Sequence, residues 1–167
     1  VRYKDNGNSV SDELILIDKL PGAKNHAGCR LRFGPDGKLY ITTGDATDRE
    51  IAQDLKNMGG KILRLNSDGS IPSDNPWPNS PVWSYGHRNP QGIDFYPGTS
   101  ILWETEHGPS GFDGPGGGDE VNVIVKGGNY GWPIVAHEGD KDGMIHPVLV
   151  YTQAEVPASG MFYKSGV

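Results

Sequence analysis

The sequence predicts an all-β protein, and within that class a β-propeller. Three observations lead there. A strand–tight turn–strand unit occurs twice, over Phe33-Gly34-Pro35-Asp36-Gly37-Lys38-Leu39-Tyr40-Ile41-Thr42 and over Phe95-Tyr96-Pro97-Gly98-Thr99-Ser100-Ile101-Leu102-Trp103-Glu104-Thr105. Each unit continues to a third alternating stretch, Lys61-Ile62-Leu63-Arg64-Leu65-Asn66 and Glu120-Val121-Asn122-Val123-Ile124-Val125. The units are offset by roughly 60 residues, longer than the about 40–50 of short-blade propellers because each carries a long insertion.

The elements follow in order. Asn25-His26-Ala27-Gly28-Cys29-Arg30-Leu31 places polar residues before a glycine and then enters the first strand, with Leu31 and Phe33 alternating. Pro35-Asp36-Gly37 turns the chain, since glycine takes the φ > 0 position of a hairpin. Asp48 to Leu55 is the one stretch that reads as a helical turn, with Asp48 as its N-cap. Asp68-Gly69 and Gly127-Gly128 end the third strands. Ser84-Tyr85-Gly86-His87-Arg88-Asn89-Pro90-Gln91-Gly92 repeats the first layout and leads into Ile93 and Phe95. A third unit opens over Pro157 to Tyr163. The same alternation also suits a β-sandwich; the repeat favours the propeller.

Composition narrows the function. The 167 residues suffice for one domain with a core. Gly 25 and Pro 13 suit turn-rich β structure, because aromatic and β-branched residues are spread throughout. A net charge of −6 without a Lys/Arg run argues against nucleic acid. No apolar run is long enough to span a membrane, and the lack of a signal-peptide pattern in residues 1–167 says little about compartment if the chain is a piece of a longer protein. The single cysteine, Cys29, excludes an intrachain disulfide and reads as a small buried filler. The chain opens mid-pattern and closes as a unit begins, so residues 1–167 read as one partial propeller domain from a longer protein.

With the motifs placed, the chain resembles the soluble PQQ-dependent sugar dehydrogenases of the glucose/sorbosone dehydrogenase family, within it the aldose sugar dehydrogenases. The resemblance rests on His26 to Leu31, Gly34 to Tyr40, Thr43-Gly44-Asp45, Gly60 to Leu65, Tyr85 to Gly92, Gly117 to Asn122 and Gly127 to Pro133. It implies a six-bladed propeller carrying PQQ and calcium, of which this chain covers the middle two to three blades. It also implies oxidation of the C1 hydroxyl of an aldose to the lactone, with hydride passing to PQQ and electrons to an external acceptor. No C-x-x-C-H haem motif occurs. It also implies a periplasmic or secreted location; a homodimer is a compatible assembly that the sequence itself does not fix.

Residue by residue, His26 matches the family's base, and imidazole titrates near neutral pH as that task requires. Read alone it also fits a capping or core histidine. Asn25 stands where glucose-specific members carry Asp, which favours the broader aldose class. Arg88 and Asn89 match the quinone-contacting pair. A fixed guanidinium suits developing negative charge, and an amide both donates and accepts. Without the family, Arg88 reads as a surface salt bridge. His87 reads as structural, and Asp45 as a rim residue or a turn cap.

Glu106-His107-Gly108-Pro109 leads into a glycine-rich loop, Gly111 to Gly118, with no GK[ST] to make it a phosphate cradle. The resemblance implies that the Gly108 and Pro109 carbonyls bind the calcium that holds PQQ, in keeping with calcium's preference for oxygen. It implies a second, structural calcium at Glu120 and the main-chain carbonyl of Tyr130. The insert from Ser110 to Gly116 looks longer than in many relatives. The basic residues that neutralise PQQ's carboxylates, and an early glutamine at the substrate, have no counterpart here. Two rival functions are a hedgehog-interacting-protein-like binding module, whose cysteine richness this chain lacks, and a calcium-dependent sugar lactonase, which leaves Arg88 and Asn89 without a role.

Overall fold

The computed structural model describes residues 1–137 and 139–163. Its regular structure is antiparallel β. A hairpin of β1 (Arg2–Asp5) and β2 (Val10–Leu14) precedes two four-stranded sheets. The first has β3 (Leu31–Phe33), β4 (Leu39–Thr43), β5 (Lys61–Leu65) and β6 (Val82–Tyr85) in sequential order. The second has β7 (Pro90–Phe95), β8 (Leu102–Glu106), β9 (Asp119–Ile124) and β10 (Leu149–Tyr151), again sequential. Each sheet is a propeller blade, so the predicted units are two blades, each completed by a fourth strand beyond the three the repeat shows.

Local chemistry explains the pairing. Gly37 sits at φ 72° and its N–H donates to the Gly34 carbonyl, closing the turn that sets Leu31 opposite Ile41 and Phe33 opposite Leu39. β4 and β5 are buried along their whole length, because alternate side chains face two different neighbours. Leu39, Ile41, Leu63, Leu65 and Val82 pack on one face of the first blade, with Leu16, Ile17 and Trp77 against them. Tyr40 and Ile62 point the other way and join Ile93, Leu102, Ile124 and Tyr130 of the second blade. Each fully buried aliphatic side chain there contributes about 1.5–3 kcal/mol. Backbone bonds from Tyr85 N–H to the Gly128 carbonyl and from Tyr130 N–H to the Tyr85 carbonyl sew the blades together.

Several expectations are corrected. The turn after Asp48 is a single 3-10 turn, Arg49–Ala52, and the Asp48 side chain makes no capping bond. Cys29 is exposed and free, because it lies in the loop before β3, an edge strand whose Leu31 and Phe33 are also exposed. Residues 157–163 run without strand pairing, although the Phe162 N–H donates to Asp94 and tethers the segment to the second blade. The β1–β2 hairpin carries no repeat signal in the sequence, and most of its residues are exposed. Among the described residues no helix is long and apolar enough to cross a membrane.

Candidate functional site

The loop before β3 and the ends of β4 and β6 converge at one rim. His26 adopts φ 53°, an uncommon conformation for a residue other than glycine and one that clusters at functional sites. Two contacts hold it there. Its carbonyl accepts the Ala46 N–H at 3.1 Å, and its Nδ1 lies 2.7 Å from Asp45 Oδ1. Asp45 is buried just beyond β4. Its Oδ1 also accepts the Thr47 N–H at 2.8 Å, and its Oδ2 accepts Trp132 Nε1–H at 2.8 Å. A carboxylate with these donors accepts the Nδ1 proton, which leaves the Nε2 lone pair of His26 as the basic site.

Arg88 and Asn89 enter from the second blade. The Arg88 carbonyl accepts the Asp45 N–H at 2.8 Å, so the two rims share a backbone bond. The Arg88 guanidinium is buried over the Trp132 ring, 5.5 Å from its centroid. Nε donates to Asp113 Oδ2 at 2.8 Å, with Nη2 2.7 Å from the same oxygen; Nη2 donates to Ser110 Oγ at 3.0 Å, and Nη1 to the His107 carbonyl at 3.0 Å. One Nη1 hydrogen stays uncommitted among the described residues. Asn89 Oδ1 accepts the Gly28 N–H at 3.3 Å. His26, Arg88, Asn89, His107 and Phe112 line one open cleft of about 490 Å³.

His87 supports the site from beneath. It is fully buried, with Nε2 2.9 Å from Ser84 Oγ and Nδ1 3.1 Å from Glu106 Oε2. Burial, with Lys61 adding to it, lowers its pKa to about 3, while burial raises Glu106 to about 8. Burial thus disfavours charge on both members of the pair. Glu106 Oε1 accepts the Arg88 N–H at 2.8 Å, so the same carboxyl positions the cleft arginine. Glu104 lies beside it, held well above the usual carboxylate range by burial and by Glu106. These buried glutamates escape sequence reading because they alternate along β8 like ordinary solvent-facing polar residues.

The donor sets suit calcium. Gly108 and Pro109 are buried, and among the described residues neither carbonyl accepts a hydrogen bond. A Cβ on Gly108 would overlap the Gly117 carbonyl and the Gly118 backbone, so only glycine leaves this cradle open. Asp119 Oδ1 fixes the loop by accepting the Gly108 N–H at 2.8 Å. Glu120 and Tyr130 line a separate hollow with Val135, His137, Met144 and Ile145. The Tyr130 hydroxyl is committed to the backbone of Val123 and Val125, which leaves its main-chain carbonyl as the available ligand. Burial and Glu106 raise Glu120 to about 8, a cost that a cation would offset.

Two blades with a polar rim of this kind define a propeller-borne site, and comparison with known proteins gives it a family. The family model described as glucose/sorbosone dehydrogenase matches residues 1–167, and the chain belongs to that family. It is 41% identical over 184 residues to the aldose sugar dehydrogenase YliI of Escherichia coli, covering 98% of this chain and 48% of that one. It is 39% identical over 163 residues to quinoprotein glucose dehydrogenase B of Acinetobacter calcoaceticus, covering 84% and 33%. The structure of the PQQ-bound aldose sugar dehydrogenase of Streptomyces coelicolor superposes with a TM-score of 0.79 at 38% identity, over 89% of this chain and 42% of that one. The chain thus spans half or less of the length of these relatives.

Of the residues expected from sequence, the fold gathers His26, Arg88 and Asn89 in one cleft, sets Gly108 and Pro109 on the adjoining loop, and places Glu120 and Tyr130 in the separate hollow. Three contributors were underestimated. Asp45 is the partner of His26 and not a simple turn cap, Trp132 reaches it from 87 residues away, and the loop insert folds onto Arg88. Thr43-Gly44-Asp45 was the one available signal, a carboxylate at a strand end beside a glycine.

Proposed function

We propose that the protein is a PQQ- and calcium-dependent dehydrogenase that oxidises the C1 hydroxyl of aldoses to the lactone. The observation that carries this reading is the buried His26–Asp45 pair, at 2.7 Å, in the cleft shared with Arg88 and Asn89. His26 Nε2 takes the C1 hydroxyl proton, and the Asp45 carboxylate stabilises the imidazolium that results. The Arg88 guanidinium brings a fixed positive charge to the cleft, and Asn89 a donor and an acceptor that orient what lies there. The chemistry PQQ would supply here is that of a hydride acceptor, and calcium that of a Lewis acid. Gly108 and Pro109 would hold that calcium through their carbonyls, and Glu120 with the Tyr130 carbonyl the structural one. An external acceptor then takes the electrons. The names of the relatives support a sugar dehydrogenase; a periplasmic or secreted location is part of the proposal.

The test is aldose-dependent dye reduction by the full-length protein reconstituted with PQQ and calcium, beside His26→Ala. Activity that needs both additions and collapses in the variant supports the reading. Metal-dependent lactone hydrolysis without dye reduction, or no turnover of any aldose by the folded protein, overturns it.

A further inference from the structure

The loop insert presents one large apolar side chain, Phe112, which is 69% exposed. Its ring does not face open solvent alone. It lies 6.2 Å from the His26 ring at an interplanar angle of 27°, a stacked arrangement, and it lines the same cleft as Arg88 and Asn89. The ring is held there by its neighbours. Asp113, the next residue, grips Arg88 through Nε and Nη2, and its Oδ1 accepts the Ser110 N–H at 3.0 Å. Gly114 closes against Pro109, where an added Cβ would stand 3.1 Å from the proline ring. A loop rich in glycine is thereby stapled to the site at the residue beside Phe112.

We infer that Phe112 is the sugar-stacking platform of the cleft and a specificity-determining residue for aldopyranoses; this rests on the function proposed above. In β-D-glucopyranose the axial C–H groups form apolar faces and the hydroxyls lie around an equatorial rim. An exposed aromatic ring takes the C–H face, and the polar wall made by Asn25, His26, Asn89 and Gln91 takes the hydroxyls. A ring beside the imidazole also adds apolar contact for the bound sugar without touching the reacting atoms. Acyclic polyols lack the flat C–H face and gain nothing from the ring.

The experiment uses the full-length protein as wild type, Phe112→Ala and Phe112→Tyr. With PQQ and calcium present, Phe112→Ala is expected to raise KM for D-glucose about tenfold with kcat changed less than about threefold, while Phe112→Tyr stays near wild type. Without PQQ, saturation-transfer NMR with D-glucose should show contact from aromatic protons to the sugar C–H groups in wild type and its loss in Phe112→Ala. An unchanged KM and an unchanged saturation pattern in Phe112→Ala overturn the inference, as does the absence of aromatic contact in wild type. Sugar contact that depends on Phe112 in a protein that oxidises no aldose would overturn the oxidation and leave the platform standing.

Discussion

Gly44→Ala offers a sharp test because it deletes no functional group. Gly44 is buried between β4 and Asp45. An added Cβ would overlap the His26 carbonyl oxygen, stand 2.5 Å from its carbonyl carbon, and lie 3.0 Å from Asn89 Oδ1. Non-bonded carbons need roughly 3.5 Å, so the His26 backbone must retreat by about 1 Å. The obstacle is backbone, and no rotamer change relieves it. His26 is already pinned at a positive φ by Ala46 and Asp45, so the retreat breaks the aim of Nε2 and crowds Asn89 together. A displacement of about 1 Å in a reacting group costs on the order of 100-fold in rate, and overpacking of this kind costs about 1–3 kcal/mol in stability. The assay is kcat/KM for dye reduction by the full-length variant, with a thermal melt in parallel. A folded Ala variant within threefold of wild type would refute the placement of His26 against Gly44.

Two other outcomes follow from the same geometry. Asp45→Asn keeps the shape but loses the carboxylate that fixes the His26 tautomer, so kcat should fall by about 10²–10⁴ with little change in KM, read by steady-state kinetics; a loss confined to KM would contradict the assignment. His87 is held neutral, with its pKa at about 3 in the folded chain. The unfolded value is about 6.5, so the unfolded chain binds this proton first, and the stability tied to neutral His87 is present above pH 6.5 and lost as pH falls from 6.5 towards 3, on the order of 5 kcal/mol in all. Denaturant titrations across that range should show the gap between wild type and His87→Gln closing as pH falls, and a constant gap would contradict the burial argument.

Much of the architecture is local and so could be read in advance. The Pro35-Asp36-Gly37 turn, the alternation of Leu39, Tyr40 and Ile41, and the matching pattern from Phe95 to Thr105 act over a few residues, where φ > 0 at glycine and a period of two decide the conformation. The helical turn after Asp48 was legible only in part, because a lone turn without a capping bond is too short to resolve from propensity. Cys29 was misjudged because strand alternation says which faces differ and not whether anything packs on an edge strand.

By itself, the sequence determined the class of fold, the blade repeat and the polar clusters that open β3 and β7, because turn chemistry and side-chain period are properties of neighbouring residues. Only the tertiary structure decided that Asp45 joins His26, that Trp132 braces Asp45 from the next blade, that Asp113 closes on Arg88, and that Glu104 and Glu106 are buried. Those partners lie 19 to 87 residues apart. Their meeting depends on strand register and on the packing of one blade against another, which no stretch of the chain encodes alone.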